Sequence, residues 1–547
     1  MAYDGALTLG GVLKEVAGRW GEREALVDLP SGLRLTYAGF DRASDKLARA
    51  FLGLGLKPGQ RVALWAPNMP LWLVVMYGAA KAGLVISSVD TSFGREELAY
   101  QLAQSRCAAL VLAPGIQGDE YLAALAGLCP ELDQPAPRGL DCAALPALRR
   151  VIVLGAEAPP GALTWDQAME LGRTVPVEAL EERMASVKPG DVATLLYTSG
   201  TTGRPKGVMS PHQGLILTSV AGGDNQRLSE QDRLVVSVPL CHMFGCICIA
   251  LAGIIKGAAL VIPSRLPEPG AILHAVVKES CTALYGPPTS FIAMMDDAAY
   301  QQLDGGLRTG VMAGAQCPME VMRKVVEEMG VADILIGYGQ TEASSWIATS
   351  RPVDPLELRV STVGRPVPGA EVKIADLADG APLPPGEVGE ICTRGHVMVG
   401  YFDLPAETAQ AIDQEGWLRT GDLGTMDEDG YIRISGRLKE VIRKGGVTVF
   451  PADIEEVLFA HPAVNTVAVF GVPHPTLGEE VACWVKLERH TQATEQEIMA
   501  FLSEQVPESH LPAWLRFVDE FPSTPLGKIQ KFRMREIMLA LLANEGE

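Results

Sequence analysis

Tyr197-Thr-Ser-Gly-Thr-Thr-Gly-Arg-Pro-Lys-Gly-Val208 is the stretch on which the reading of this chain turns. It follows the apolar, β-prone run Val192 to Leu196 and carries glycines, Ser/Thr hydroxyls and one lysine, with no acid among them. Gly200 and Gly203 let the backbone bend tightly and turn its N–H groups toward an anion. Thr198, Ser199, Thr201 and Thr202 add side-chain donors, and Lys206 adds a compact positive charge suited to phosphate. Taken alone, the run also fits a Gly/Ser/Thr turn between two strands. It is not a Walker loop, because neither Gly200 nor Gly203 has a glycine five residues on, and the dinucleotide pattern Gly-x-Gly-x-x-Gly is absent.

Bulk properties narrow the classes. A chain of 547 residues is long enough for more than one domain. With 46 basic against 66 acidic residues the net charge is −20, which argues against nucleic acid or an anionic membrane surface as the main partner. An anionic ligand must then be drawn in by local cations, so Arg437, Lys439, Arg443 and Lys444 stand out. The ten cysteines form no Cys-x-x-Cys pair and read as reduced thiols filling core space, with no zinc site. Met1 to Gly11 lacks a basic region followed by an apolar core. The longest apolar stretch, Met243 to Ile255, is too short to span a bilayer. A cytoplasmic enzyme without stable membrane insertion is the expectation.

Along the chain, Val62–Trp65, Ala109–Ala113, Leu234–Val238 and Ala259–Ile262 read as buried strands, and Phe40–Leu54 and Met319–Met329 as helices. That alternation predicts α/β layers with largely parallel sheets. Residues 114–146, rich in Pro, Gly and Ala, read as a surface excursion. Short strands and glycine turns dominate from about residue 370 to Ser435, as in a small β subdomain. Helix then returns at Ala452–Ala460, strands at Val467–Phe470 and Val481–Val485, and a last helix at Phe532–Ala543.

The opening run closely resembles the signature of the adenylate-forming (AMP-binding) superfamily: acyl-CoA synthetases, luciferases and nonribosomal adenylation domains. Further motifs follow in that family's order. In Gly337-Tyr-Gly-Gln-Thr-Glu342 a tyrosine between glycines can stack on a base, and a hydroxyl beside a carboxylate suits phosphate and its metal. The resemblance implies that Tyr338 meets adenine between Gly337 and Gly339, Thr341 the α-phosphate, and Glu342 a Mg²⁺ ion. Gly314-Ala315-Gln316 resembles the stretch lining the adenine and acyl sites. Asp422, in Leu418-Arg-Thr-Gly-Asp422, resembles the ribose-binding carboxylate, with Arg437 a second ribose contact. Lys528, in Pro525-Leu-Gly-Lys528-Ile-Gln-Lys531, resembles the lysine that reaches from the small domain to steady the α-phosphoryl charge. His242, in Pro239-Leu-Cys-His242-Met-Phe244-Gly245, occupies the family's place beside the acyl site, with Phe244 next to it.

The resemblance covers nearly the whole chain. It implies an α/β fold with a large N-terminal domain of stacked, mostly parallel sheets, helices and a β subdomain (1–436). A hinge (437–440) centred on Lys439 and a small mobile α+β C-terminal domain (441–547) complete it. The implied reaction joins a carboxylic acid to AMP from ATP, with Mg²⁺, and then passes the acyl group to CoA. Arg443, Lys444, Gly445 and Gly446 would meet CoA after rotation about the hinge. Val447 and Thr448 stand where relatives carry a polar pair. Amino-acid-activating relatives need an acid near His242; none occurs between Leu234 and Gly257, so a plain acid is preferred, whether medium-chain, branched or aromatic. Trp346 stands near the Thr-Glu motif, as core filling or as a plug that shortens the acyl pocket. The competing readings are an enzyme that loads an acyl carrier protein's phosphopantetheine, a luciferase-like oxidase and a silent nucleotide-binding scaffold. A monomer or homodimer is usual among such proteins.

Overall fold

The computed structural model describes residues 5–198, 204–303, 305–524 and 527–545. Ser199, Gly200, Thr201, Thr202 and Gly203 lie outside the described residues.

The short apolar runs do form strands, and they sort into two large sheets. One has nine strands, and its parallel centre includes Ala283–Gly286, Thr309–Ala313 and Asp333–Gln340 as successive neighbours. The other has eight, with Arg61–Trp65 between parallel Val85–Ser88 and Ala109–Leu112, and an antiparallel margin made by Val192–Thr198 and Lys206–Pro211. The predicted helices extend over Tyr37–Gly53 and Met319–Glu327. The helix Pro70–Lys81 is apolar almost all round and is accordingly buried, contributing Trp72, Leu73 and Tyr77 to a core shared by both sheets. Lys81 closes it, fully buried but paired with Asp41 and, at 2.6 Å, with Asp45. The apolar run at 243–255 is a wide-turned π-helix, Phe244–Leu251, continuing as the α-helix Ala252–Ile255.

The surface excursion expected at 114–146 is corrected. A helix runs over Glu120–Leu128, and Tyr121, Leu125, Cys129, Leu132, Leu140, Cys142 and Leu145 are buried in the main core. Tyr121 stacks on Trp65 with ring centroids 4.0 Å apart. The Pro/Gly composition marked the turns and concealed an apolar face spread thinly between them.

From Glu371 to Arg437 four antiparallel strands form the small β subdomain. Beyond it, Ile442–Lys444, Val447–Val449, Val464–His474, Gly478–Leu487 and Trp514–Phe517 make a separate sheet. Its long strand alternates faces residue by residue: Val467 and Val469 pack with the helices Pro451–Phe459 and Glu495–Ser503, while Ala468, Phe470 and Val472 pack with Met534 and Met538 of the last helix, Lys531–Glu545. Helices thus cover both faces, and this part of the chain owns two small cores. Among the described residues, no helix is long and apolar enough to cross a membrane. All ten cysteines are free thiols, nine of them buried.

Candidate active site

Parallel strands leave their ligands to be met at their carboxyl ends, where the loops gather. Here those loops are the segment starting at Pro287 after Ala283–Gly286, Gly314-Ala315-Gln316 after Thr309–Ala313, and Thr341-Glu342 after Asp333–Gln340. Gly314, Ala315 and Gln316 are exposed at this edge, with Gly314 in the left-handed region at φ +86°.

Three predicted nucleotide residues come together as one hydrogen-bonded group. Tyr338 donates its hydroxyl to Asp422 Oδ2 at 2.9 Å, and Arg437 Nε lies 3.0 Å from Asp422 Oδ1. Asp422 and Arg437 are also register partners on adjacent strands of the β subdomain, so ladder pairing fixes the ion pair. The subdomain therefore delivers a carboxylate and a guanidinium to a tyrosine on the large sheet.

A second group forms around Glu342. Tyr401 donates its hydroxyl to Glu342 Oε1 at 2.8 Å, and Lys206 Nζ lies 4.5 Å from the centre of the Tyr401 ring. Burial pushes the Glu342 carboxyl above its ordinary range, against the opposing pull of Tyr401, Arg437 and Lys206. Thr198 and Lys206 are cross-strand partners, so the ends of the glycine-rich run are pinned together. Tyr401 was missed from sequence; Gly400-Tyr401 is a two-residue strand with no signature of its own, and only its pairing with Met209 and Val208 brings it here.

The small domain supplies the lysine. Ser523 and Ile529 form an antiparallel bridge, and Lys528 N donates to Thr524 Oγ1 at 3.2 Å. Gly527 sits at φ +83°, and its carbonyl accepts a 2.8 Å hydrogen bond from Thr289 Oγ1 of the large domain. A Cβ at residue 527 would stand 2.9 Å from that Oγ1, so both conformation and space call for glycine. Met319 N to Glu456 Oε1 at 3.1 Å, Asn465 Nδ2 to Asp296 Oδ2 at 3.2 Å and Arg489 to the Asp296 carbonyl at 3.0 Å add to the docking. The Lys528 ammonium is pulled down to about 8 by burial and by Arg437, with Glu440 and Asp422 opposing. We expect kcat/KM for the nucleotide-dependent step to fall as pH rises through about 8, because the free enzyme then loses the Lys528 cation. A rate profile flat across that range would show that the ammonium is not needed.

The predicted acyl residues adjoin this edge. Trp346, buried on the strand Ser345–Thr349, meets Phe244 edge to face with centroids 6.2 Å apart. A Cβ at Gly337 would lie 2.2 Å from the Trp346 ring, and one at Gly222 would lie 2.5 Å from its Nε1, so the indole occupies room that two glycines leave. His242 is in place two residues before Phe244, and although no acid occurs between Leu234 and Gly257, one reaches it from another part of the chain. Asp90, 152 residues away in sequence, approaches His242 Nε2 to 3.1 Å.

The proposed CoA residues lie elsewhere in this arrangement. Gly445 and Gly446 form the turn between Ile442–Lys444 and Val447–Val449. Arg443 reaches Thr448 Oγ1 at 3.2 Å. Lys444 is half-buried, with Nζ 2.6 Å from Glu480 and 3.1 Å from the Leu511 carbonyl. Its charge is therefore already balanced, which sequence proximity to Arg443 did not reveal.

A two-domain α/β fold with a Tyr–Asp–Arg group, a carboxylate near a lysine-bearing loop, and a second lysine brought in by the small domain is the arrangement expected of the class that activates acids on a nucleotide. Residues 13–402 match the AMP-binding enzyme family, and residues 453–528 match the AMP-binding enzyme C-terminal domain. The chain belongs to the AMP-binding enzyme family, in its acyl-CoA synthetase branch, and is an AMP-forming acid–thiol ligase with ATP and CoA as co-substrates. It is 41% identical to the putative acyl-CoA synthetase YngI of Bacillus subtilis (strain 168), over 97% of this chain and 96% of that one. The human mitochondrial medium-chain acyl-CoA ligase ACSF2 is 34% identical over 97% of this chain and 87% of its own length. The crystal structure of the anthranilate CoA ligase AuaEII with anthranoyl-AMP superimposes with a TM-score of 0.84 at 26% identity, covering 97% of each chain.

Proposed function

We propose that this enzyme activates a medium-chain, branched or aromatic carboxylic acid as its acyl-adenylate and transfers the acyl group to CoA. The observation that carries the reading is Lys528, which the small domain brings beside Asp422 and Arg437 while Gly527 rests on Thr289. In the first step a carboxylate oxygen attacks the α-phosphorus of ATP, and the bond to the bridging oxygen breaks to release pyrophosphate. Tyr338, Asp422 and Arg437 hold the nucleoside, and Thr341, Lys206 and Lys528 meet charge at the phosphates. In the second step the thiol sulfur attacks the acyl carbon and AMP leaves.

A Mg²⁺ ion fits the donor set at Glu342: its carboxylate is a hard oxygen ligand, and Tyr401 occupies only Oε1. Bound there, the ion would neutralise triphosphate charge. The two steps need different neighbours, so we also assign 1–436 and 441–547 as domains that pivot within 437–440. The present arrangement, with Lys528 inward and Gly445-Gly446 away from it, corresponds to the first step.

Two features support the acid class. The only acid that reaches His242 among the described residues is Asp90, which is taken up by that imidazole and offers no separate partner for a substrate ammonium. The Phe244–Trp346 wall favours a compact or aromatic acyl group. We expect Trp346→Ala to shift preference toward longer acids while costing about 3–5 kcal/mol in stability. An unchanged chain-length profile in a folded variant would return Trp346 to a packing role. The reading as a whole is tested by pyrophosphate release with ATP and Mg²⁺ across a panel of acids, each with and without CoA. Acid-dependent release that turns over only with CoA is expected. Adenylate that stalls despite CoA would point to a carrier-protein thiol, and no release with any acid would count against acid activation.

A further inference from the structure

The mechanism so far makes no use of Asp90, yet its surroundings are built around a single orientation. It follows the strand Val85–Ser88 and is half-buried. Its backbone carbonyl accepts from Trp65 Nε1 at 3.1 Å, and its Oδ1 accepts from Ser92 N at 2.9 Å and Ser92 Oγ at 2.7 Å. With Oδ1 tied down twice, Oδ2 is left facing His242 Nε2 at 3.1 Å. The contact is a charge pair without the alignment of a hydrogen bond, since Nε2 is buried and makes none. On the imidazole side, His242 N donates to the Pro239 carbonyl and Cys246 N to the His242 carbonyl, so the backbone is as fixed as the partner's.

We infer that Asp90 is a positioning residue, whose carboxylate keeps His242 as an imidazolium beside the acyl site so that an incoming carboxylate meets a fixed positive charge. The inference rests on the proposed function in taking the substrate to be an acid bound near His242. Its physical need is plain: a protein of net charge −20 repels a carboxylate at long range, and the Lys206, Arg437 and Lys528 cations belong to the nucleotide. A histidine beside a buried carboxylate can supply a local cation that a neutral imidazole could not.

The neighbouring groups permit this. The titratable side chains facing the pair are Cys241 on the same segment and Tyr121 from the helix Glu120–Leu128, with Cys246 on the following helix lying near Cys241. None of these is a cation. Burial alone lowers the imidazole, but Cys241 and Asp90 outweigh it and hold His242 well above its ordinary value. Burial likewise raises Asp90, but His242 and Ser92 outweigh it and hold that carboxyl below its ordinary range. The pairing therefore favours the imidazolium, which is lost as pH rises through a raised value.

The test is Asp90→Asn, which keeps the shape and removes the charge. The His242 ring resonances of full-length protein would be titrated by NMR, with His242→Gln to assign them. Acid-dependent pyrophosphate release would be followed over the same pH range. In Asp90→Asn we expect His242 to lose its proton at lower pH, and KM for the acid above neutrality to rise on the order of tenfold with kcat little changed. His242→Gln should raise the acid KM similarly, and the double variant should be no worse than either single one. An unchanged His242 titration overturns the pairing whichever acid is used. A shifted titration with an unchanged acid KM overturns the positioning role. Absence of pyrophosphate release from the unaltered enzyme would instead count against acid activation, while the titration still decides the ion pair.

Discussion

Lys528→Ala is expected to lower acyl-adenylate formation by about 10²–10³-fold, some 3–4 kcal/mol of transition-state stabilisation. The expectation follows from where the ammonium sits. Its loop is locked onto the large domain through Gly527 and Thr289, and its charge lies among Arg437, Asp422 and Glu440. A cation already positioned before substrate arrives costs no reorganisation as charge develops on the α-phosphoryl oxygens. The loss should fall on kcat more than on KM for ATP, because the base and ribose contacts proposed for Tyr338 and Asp422 are untouched. Thioester formation from chemically supplied acyl-adenylate should remain within a few-fold of the unaltered enzyme. Single-turnover measurement of each half-reaction decides the matter, and equal losses in both would falsify the assignment.

Lys531, three residues on, is a useful contrast. It is buried with Nζ 2.7 Å from Glu455 of its own domain and 3.7 Å from Glu440 at the end of the hinge. Both lysines stand in one motif, yet one is turned to the nucleotide corner and the other neutralises internal charge. Their difference lies in partners far upstream in the chain, Glu455 and Glu440 for one and Arg437 and Asp422 for the other, which local sequence does not display.

The same distinction governs what could be read before the structure. The motif residues were legible because each local run contains its own chemistry: glycines that permit a bend, a hydroxyl beside a carboxylate, a lysine on a glycine turn. Strands such as Ala109–Leu112 were legible because a wholly apolar run of that length has few other uses. Tyr401 and Asp90 were not, since each acquires its role from a side chain across a sheet or between domains. The Glu480 partner of Lys444 escaped for that reason too, and so did the buried face of residues 114–146, whose apolar positions keep no single period. Sequence displays chemistry carried by neighbours in the chain; it conceals pairs assembled by topology.

Lys439→Pro should produce the opposite division of labour from Lys528→Ala. Arg437 ends the last strand of the β subdomain, and Ile442 begins the first strand of the small domain. Between them Glu440 N and Val441 N both donate to the Arg437 carbonyl, and Leu438 N donates to the Gly421 carbonyl. This short turn is all the chain that joins the two bodies, so a rotation carrying Gly445-Gly446 inward must be absorbed in its dihedral angles. Proline fixes φ near −65° at its own position and restricts the residue before it. A turn able to visit two arrangements would be left with one. Adenylation should stay within a few-fold where that one is the present arrangement, while thioester formation should fall on the order of 10²-fold, the scale of loss expected when reacting groups are held out of place. Measuring pyrophosphate release and acyl-CoA production separately on the same preparation would show the split. Comparable loss in both half-reactions would place the pivot outside 437–440, and no loss in either would mean that the small domain need not rotate there at all.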